Sequence, residues 1–241
     1  MIKKYFKSDD FRKLKLKFRQ LIGTEPKFSK DVNLQTENFS GWHLVSSMVN
    51  ENDIVYSIGI CDDIGFDLSI IENKKVQLFA FDPTPYSIKW INSQKLPERF
   101  HFFPWAASGE DGKFFLYPRI DKKGEKSEIM YTFHTQDENR EDGVIVDAFT
   151  VESMMKKLEH TKIDLLKIDI EGAEYALLDT FLTSSLRPKQ LLVEFHHRFK
   201  GIGKQKTIDV VNRLKKEGYL IAHISITGRE LSFVHKNEIN L

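Results

Sequence analysis

Cysteine is almost missing from this chain, and so are long apolar runs and a net charge. The single cysteine, Cys61, excludes an intramolecular disulfide and a zinc site built from several cysteines. No stretch of 18 apolar residues is present, and the amino terminus lacks the apolar core of a secretory signal. We therefore expect a cytoplasmic protein without a membrane span. A formal net charge of +1 gives no whole-protein argument for binding nucleic acid or an anionic surface.

The remaining composition is that of an ordinary globular protein, with 41% hydrophobic and 29% charged residues. A length of 241 residues suits one sizeable domain better than two. We divide the chain into a basic amphipathic helix and loop at residues 1–40 and one domain at residues 41–241.

The amino-terminal segment is the most basic part of the sequence. Residues 1–20 contain eight Lys or Arg against Asp9 and Asp10. Four apolar residues fall on one helical stripe: Phe11, Leu14, Phe18 and Leu21. One interpretation is a helix that contacts a membrane, an acidic partner or a phosphorylated substrate. The other, which the sequence favours, is a helix that packs its Phe/Leu face on the domain and solvates its lysines.

Apolar runs and helical patterns alternate through the rest of the chain. Strands are predicted at residues 54–58, 76–81, 100–105, 163–168 and 190–195, helices at 64–71, 150–158, 173–181 and 204–217, and a further helix beginning at Thr84-Pro85. Residues 219–226 and 230–235 predict a closing antiparallel hairpin. This alternation predicts an α/β fold with a mostly parallel sheet and helices on both faces.

One region departs from the alternation. Gly109 and Gly112 predict a hairpin turn, followed by an extra strand at residues 113–117. Residues 118–143 are polar and aperiodic and predict a long loop, which is usually functional or mobile in a compact domain. Three of its residues are candidates for a lid over a substrate: Tyr131, Phe133 and His134.

In open parallel sheets, ligands bind beyond the carboxyl ends of the strands, so the residues ending each strand are informative. The first strand ends in the run 57–65, where Gly59 permits a tight turn. Cys61 stands where a dinucleotide-binding turn has its second glycine, and Asp62 and Asp63 follow. Two carboxylates would repel a pyrophosphate, whereas an adenosine ligand with a cationic sulfonium and an amino group tolerates them.

The second strand ends at Asp82, which lies 23 residues after Gly59. An acidic residue about 20 positions after the glycine turn accepts hydrogen bonds from the two hydroxyls of a ribose. Asp is also a common helix cap and turn residue, so a structural role is the alternative.

Acidic and imidazole side chains follow the fourth and fifth strands. Alternation places Asp169 with Glu171, and Glu194 with His196, and we expect these neighbouring strands to bring all four together. One interpretation is a general base acting on a substrate hydroxyl. A second is a divalent metal site, because oxygen-rich clusters with an imidazole bind such ions. The third is a set of caps and salt bridges.

The run Lys-Ile-Asp-Ile-Glu-Gly-Ala-Glu at residues 167–174 closely resembles the signature of FkbM-type methyltransferases. The runs at 55–59, 81–85 and 194–197 resemble that family too, and the likeness covers about residues 41–236. The resemblance implies a Rossmann-like methyltransferase domain that transfers the methyl group of S-adenosylmethionine, typically to a hydroxyl oxygen by direct in-line displacement.

The resemblance also implies site residues by position. Gly59 and Cys61 would lie near the methionine portion of the cofactor, Asp82 at the ribose, and Asp169 at the methyl-donor end. The full cofactor-binding prediction is Ser57, Gly59, Cys61, Asp63, Asp82, Pro83, Trp105, Ala106 and Asp169. The predicted catalytic residues are His196 as first candidate for the base, Glu171 as second, Asp169 and Glu194. No metal ligands are assigned, although a divalent metal is compatible with the cluster.

Two rival functions stay open. A nicotinamide-dependent oxidoreductase would need a pyrophosphate site, which the missing glycines and the Asp62-Asp63 charge disfavour. A non-catalytic relative would use the pocket only for binding. The sequence lacks the Asp/Asn-Pro-Pro-Tyr run that holds a flipped base, so nucleic acid is not the expected partner. A carbohydrate, polyketide-like or lipid-linked hydroxyl each remains possible as acceptor, and the oligomeric state is open.

Overall fold

The computed structural model describes residues 8–120, 124–133, 140–199 and 201–239. Its elements in chain order are α1 (Asp9–Leu21), β1 (Glu37–Phe39), β2 (Trp42–Leu44), β3 (Ile54–Ile58), α2 (Gly65–Lys74), β4 (Gln77–Phe81), α3 (Pro85–Ile91), β5 (Phe100–Phe103), β6 (Ala106–Ala107), β7 (Gly112–Ile120), β8 (Lys126–Thr132), β9 (Val144–Phe149), α4 (Val151–Lys157), β10 (Leu165–Ile168), α5 (Glu174–Thr183), β11 (Gln190–Glu194), α6 (Lys204–Lys216), β12 (Tyr219–Ile224) and β13 (Glu230–His235). None of the described helices is both long and apolar enough to span a bilayer.

A seven-stranded sheet forms the centre of the molecule, in the order β12-β13-β11-β10-β3-β4-β5. Strands β11, β10, β3, β4 and β5 are parallel to one another, whereas β13 is antiparallel to both β11 and β12. This confirms the predicted mixed sheet and its closing hairpin. The chain moves outward from β3 in one direction and returns to start again at β10, so the strand order reverses between these two strands.

Both faces of the sheet are covered, because alternating residues of each strand pack into different cores. Tyr56 and Ile58 face the core that α4, α5 and α6 complete, whereas Val55 faces the core completed by α2 and α3. Strands buried on both faces are near-continuous apolar runs, which is the pattern seen in the sequence. The predicted α/β architecture with helices on both sides is therefore confirmed.

Several helix ends follow from single residues. The Thr84 side chain accepts a hydrogen bond from the Ser87 amide and Pro85 occupies the first turn of α3. The Thr150 side chain accepts from the Ser153 amide in the same way. Gly218, with φ +92°, follows the carboxyl end of α6. These three predicted boundaries are confirmed.

The region after β5 forms a second, four-stranded sheet, in the order β6-β9-β7-β8. The predicted hairpin at Gly109 and Gly112 is wrong, because β6 and β7 do not pair with each other but both pair with β9. The predicted loop at residues 118–143 is wrong where the chain is described, because β7 continues to Ile120 and pairs with β8. Among the strands that the structure describes, β8 pairs with β7 alone and so lies at the edge of this sheet. His134 lies outside the described residues.

Helix α1 forms as predicted, and Ser8 caps it by accepting from the Phe11 amide. The favoured interpretation of its packing is wrong, because Leu14, Phe18 and Leu21 are exposed rather than packed on the domain. The division of the chain at residue 40 stays a prediction; the β1–β2 hairpin lies across that position.

Candidate functional site

A cavity lies beyond the carboxyl ends of β3, β4 and β10, at the point where the strand order reverses. Eight of the nine predicted cofactor-binding residues line it: Gly59, Cys61, Asp63, Asp82, Pro83, Trp105, Ala106 and Asp169. The ninth, Ser57, is fully buried beneath the turn, and its hydroxyl makes no hydrogen bond to any described residue. The fold thus brings the ends of separate strands to one pocket.

Residue 59 must be glycine because the backbone that follows β10 passes close to it. Its φ is +83°, and a Cβ at this position would lie 1.8 Å from the carbonyl oxygen of Asp169. The Gly59 amide donates to the Phe81 carbonyl, and Lys167 Nζ donates to the Gly59 carbonyl at 3.0 Å. The turn after β3 is therefore fixed against both β4 and β10, which shapes the floor of the cavity.

Asp82 joins two loops at the rim of the cavity, the loop after β3 and its own loop after β4. One carboxylate oxygen accepts from the amides of Ile60 and Cys61, at 3.1 and 2.9 Å. The other accepts from the amide and the hydroxyl of Thr84, at 2.9 and 2.7 Å. A carboxylate has about four acceptor positions, and these four bonds use them. This geometry supports a positioning role, and contact with a ribose stays a prediction.

Cys61 adopts a left-handed backbone with φ +47° in the wall of the cavity. Burial, with the nearby charges of Asp62 and Asp82, raises the pKa of its thiol to about 12. The thiol is therefore neutral at physiological pH and unsuited to nucleophilic chemistry.

The four predicted catalytic residues meet around His196, at the edge of the cavity. His196 Nε2 lies 3.8 Å from Asp169, 3.9 Å from Glu171 and 3.8 Å from Glu194, measured to the nearest carboxylate oxygen. His196 is buried, and Glu174 accepts from its backbone amide at 2.7 Å and contacts its Nδ1 at 3.3 Å. Because Nδ1 faces Glu174, the ring is oriented with Nε2 towards the other three carboxylates.

Two guanidinium groups offset part of this negative charge. Arg119 pairs with Glu171 at 2.5 Å, and Arg229 pairs with Glu194 at 2.7 Å. Burial, followed by the charge of Asp169, raises the pKa of Glu194 to about 7. Burial lowers the pKa of His196, but the hydrogen bond to Glu174 and the surrounding carboxylates outweigh it, so the net shift is upward. Both shifts favour the protonated form, and His196 Nε2 lies 3.8 Å from the Glu194 carboxylate, too far for a direct hydrogen bond.

Only two of the four predicted catalytic residues face the cavity. Asp169 and Glu171 line the cavity, whereas Glu194 and His196 are not among its lining residues. Glu171 has φ +50° and Gly172 has φ +104°, so the chain after β10 turns sharply there. A ligand in the cavity would thus contact Asp169 or Glu171 first, with His196 and Glu194 behind them.

Three residues of this cluster were not assigned from the sequence. Glu174 begins α5 and was recognised only as part of a motif, although its position in the first turn of a helix is a usable indication. Arg119 and Arg229 come from β7 and from the β12–β13 turn, and no local pattern connects them with strand ends more than 30 residues away.

A metal interpretation has a defined ligand set. Asp169, Glu194 and His196 each offer one atom, and these atoms lie within 4.8 Å of one another. One imidazole and two carboxylates are compatible with a divalent ion. The same Glu194 already pairs with Arg229, so the cluster is partly neutralised by protein groups alone.

The cavity walls combine acidic and aromatic side chains. Six aromatic residues line it: Trp42, Phe66, Phe81, Trp105, Tyr131 and Phe133. Lys167 is the one cationic side chain among the described lining residues, and its Nζ lies 5.0 Å from the centre of the Trp42 ring. A lining of this kind is unfavourable for a pyrophosphate and favourable for a flat, positively charged ligand.

The strand order and the site at its reversal define an α/β protein of the Rossmann-like class. The family model of the methyltransferase FkbM domain matches residues 45–221, and the chain belongs to this family. No curated protein matches the sequence.

Solved structures are similar at low sequence identity. The chain is similar to the Methanococcus jannaschii fibrillarin pre-rRNA processing protein, with 9% identity, a TM-score of 0.46 and coverage of 88% of this chain and 86% of that one. TrmK from M. capricolum, in complex with S-adenosyl-homocysteine, has 11% identity, a TM-score of 0.43 and coverage of 80% of this chain and 66% of that one. Aeropyrum pernix fibrillarin, with bound S-adenosyl-L-methionine, has 9% identity, a TM-score of 0.42 and coverage of 78% and 67%. The chain thus spans about two thirds of the last two proteins.

Proposed function

We propose that this chain is an S-adenosylmethionine-dependent methyltransferase that methylates a hydroxyl oxygen of a small molecule or carbohydrate in the cytoplasm. The observation that carries the proposal is the cavity at the reversal of strand order, with carboxylates and aromatic rings in its walls. Membership of the methyltransferase FkbM family supports the reaction class.

The residues present fit the cofactor. Asp63 and Asp169 offer carboxylates to its cationic groups, and Trp105 with Ala106 offers an apolar surface to its adenine. Asp82 would act mainly by holding the turn of Ile60 and Cys61 in place. When bound, S-adenosylmethionine supplies an electrophilic methyl group on a cationic sulfur.

The acceptor hydroxyl must lose its proton as its oxygen is methylated. Asp169 is the group we assign to contact that hydroxyl, since it lines the cavity and lies 3.8 Å from His196 Nε2. His196 and Glu194, whose pKa values are both raised, act behind it and assist in removing the proton. Glu171 and Arg119 form a second polar wall for the acceptor.

Calorimetric titration of the purified full chain tests the cofactor. We expect S-adenosylmethionine and S-adenosylhomocysteine to bind with micromolar affinity and NAD not to bind. Asp169→Asn should weaken binding of the cationic S-adenosylmethionine about tenfold, because it removes a charge from the cavity wall. The matched control is Asp147→Asn, at an exposed carboxylate of β9 that pairs with Lys113.

Two results would contradict the proposal: a folded protein that binds neither methyl-donor ligand, or one that binds NAD instead. Transfer of a labelled methyl group to hydroxylated acceptors then tests the reaction itself. His196→Gln is expected to lower the rate and move its pH profile without preventing cofactor binding. A variant with an unchanged pH profile would remove His196 from proton transfer.

A further inference from the structure

Helix α1 turns its apolar side towards solvent. Leu14, Phe18, Leu21 and Ile22 are exposed by 59%, 58%, 85% and 54%. Their spacing of four, three and one residues places them on a single side of a helix with 3.6 residues per turn. No residue of α1 is buried. Four adjacent large apolar side chains in water are unusual for a soluble surface and indicate a binding face.

The opposite side of α1 holds the helix to the domain. Leu16 lies against Gly228, where an added Cβ would come within 2.8 Å of the leucine side chain. Gln20 donates to the Pro26 carbonyl at 3.1 Å, and Arg19 pairs with the buried Glu25 at 3.3 Å. These contacts hold one side of α1 to the domain, so the stripe of Leu14, Phe18, Leu21 and Ile22 faces solvent.

Lysines border that stripe on both sides. At 100° per residue, Lys15 falls beside Ile22 on one edge and Lys17 falls beside Leu21 on the other, with Lys13 next to Lys17. All three lysines are exposed. Asp9 and Asp10 lie in the first turn, where they stabilise the helix dipole. An apolar stripe between two cationic borders is the arrangement of helices that lie in the interface of an anionic bilayer.

The attachment points place α1 at the same end of the central sheet as the cavity. Glu25, just after α1, accepts from His197 Nε2 and Arg198 Nε, both at 2.6 Å, and these residues follow the carboxyl end of β11. Gly228 lies in the turn between β12 and β13, which is at that same end because β13 is antiparallel to β11. A surface contacted by α1 would therefore lie near the mouth of the cavity.

We propose that α1 docks the protein on an anionic lipid bilayer, with Leu14, Phe18, Leu21 and Ile22 in the apolar boundary and the bordering lysines at the headgroups. The protein binds as a peripheral protein, since the stripe is one side of a single 13-residue helix. This inference does not depend on the proposed methyltransferase reaction.

Vesicle co-sedimentation of the full chain tests the docking. The vesicles are phosphatidylcholine alone and phosphatidylcholine with roughly one third phosphatidylglycerol, a lipid that supplies negative surface charge. We expect binding to the anionic vesicles, weakened by salt, and little binding to the neutral ones. The double variant Phe18→Ser/Leu21→Ser should bind at least about tenfold more weakly, because two inserted apolar side chains are lost.

The matched control is Phe115→Ser, which removes an equally exposed phenylalanine from β7 and should leave binding unchanged. The triple variant Lys13→Gln/Lys15→Gln/Lys17→Gln should also lose binding to anionic vesicles. Circular dichroism and urea denaturation check that every variant is folded. Failure of the folded wild-type chain to bind anionic vesicles overturns the proposal, and so does binding that the stripe variant leaves intact. A dimer in solution that the stripe variant makes monomeric would also overturn it, since the stripe would then be a protein interface.

Discussion

Helices α1 and α6 are similar in length and in the number of basic residues, and opposite in their packing. Each has 13 residues and five Lys or Arg, with an apolar stripe at helical spacing. Helix α6 buries four residues, namely Thr207, Val210, Val211 and Leu214, whereas α1 buries none. The amphipathic pattern therefore predicts that a helix forms but does not predict what covers its apolar side.

The difference follows from where each helix meets the sheet. Helix α6 lies between β11 and β12 in the chain and packs beside α5 on a face that needs covering. Helix α1 precedes the sheet, and both faces are already covered by α2 to α6. Leu16 on Gly228, Gln20 on the Pro26 carbonyl and Arg19 on the buried Glu25 hold the side of the helix opposite the stripe and leave the stripe in water.

The largest expected contrast comes from one charge placed on each stripe. Leu214→Asp in α6 buries a carboxylate at a fully buried position and should lower the free energy of unfolding by more than about 3 kcal/mol. Leu14→Asp in α1 should change it by less than about 0.5 kcal/mol, because that side chain is exposed. Urea denaturation of both variants measures the difference. Equal losses of stability would mean that the α1 stripe is covered in solution.

A middle-sized effect is expected at the attachment of α1. Glu25→Ala removes the acceptor of His197, Arg198 and Arg19 and leaves a buried imidazole donor without its partner. The expected loss of stability is about 2 kcal/mol, together with faster proteolysis between α1 and residue 26. Glu72→Ala, at an exposed carboxylate of α2, is the matched control. If Glu25→Ala leaves proteolysis unchanged, α1 is held by other contacts.

The smallest effect is a pH dependence of the same attachment. Burial lowers the pKa of His197, and the charges of Arg198 and Arg229 add to this, although Glu25 opposes it. The folded protein thus binds this proton less readily than the unfolded chain does. The neutral His197 side chain therefore contributes to stability above the ordinary histidine pKa of about 6.5. This contribution is lost as the pH falls through the lower pKa that His197 has in the folded protein. Unfolding measured at pH 7.5 and 5.5 should show a stability loss that His197→Gln reduces. An identical loss in that variant would assign the pH dependence to other groups.

The sequence predicts the central sheet well because buried parallel strands are uninterrupted apolar runs with sharp ends, as at residues 54–58 and 163–168. It also predicts which strand ends meet, since parallel neighbours share an edge. Strand β7 extends beyond its predicted end at residue 117 and β8 was not predicted, because residues 118–127 are mostly polar and carry no apolar alternation. The hydrogen bonds of Asp82 to the loop after β3 and the position of His196 behind Asp169 depend on tertiary distances of a few ångströms, which spacing along the chain does not encode.

The chain enters the four-stranded sheet at β6 and leaves it at β9, and these two strands are neighbours. Ala106 and Ala107 pair with Ala148 and Phe149, so a segment of some forty residues begins and ends on adjacent strands. Segments whose ends already touch can be lengthened, shortened or exchanged at little cost to the rest of a fold, because closing them needs no new chain path. Residues of this sheet line the cavity, so, under the proposed function, changes in it can alter the preference for an acceptor while the turns after β3 and β4 stay as they are.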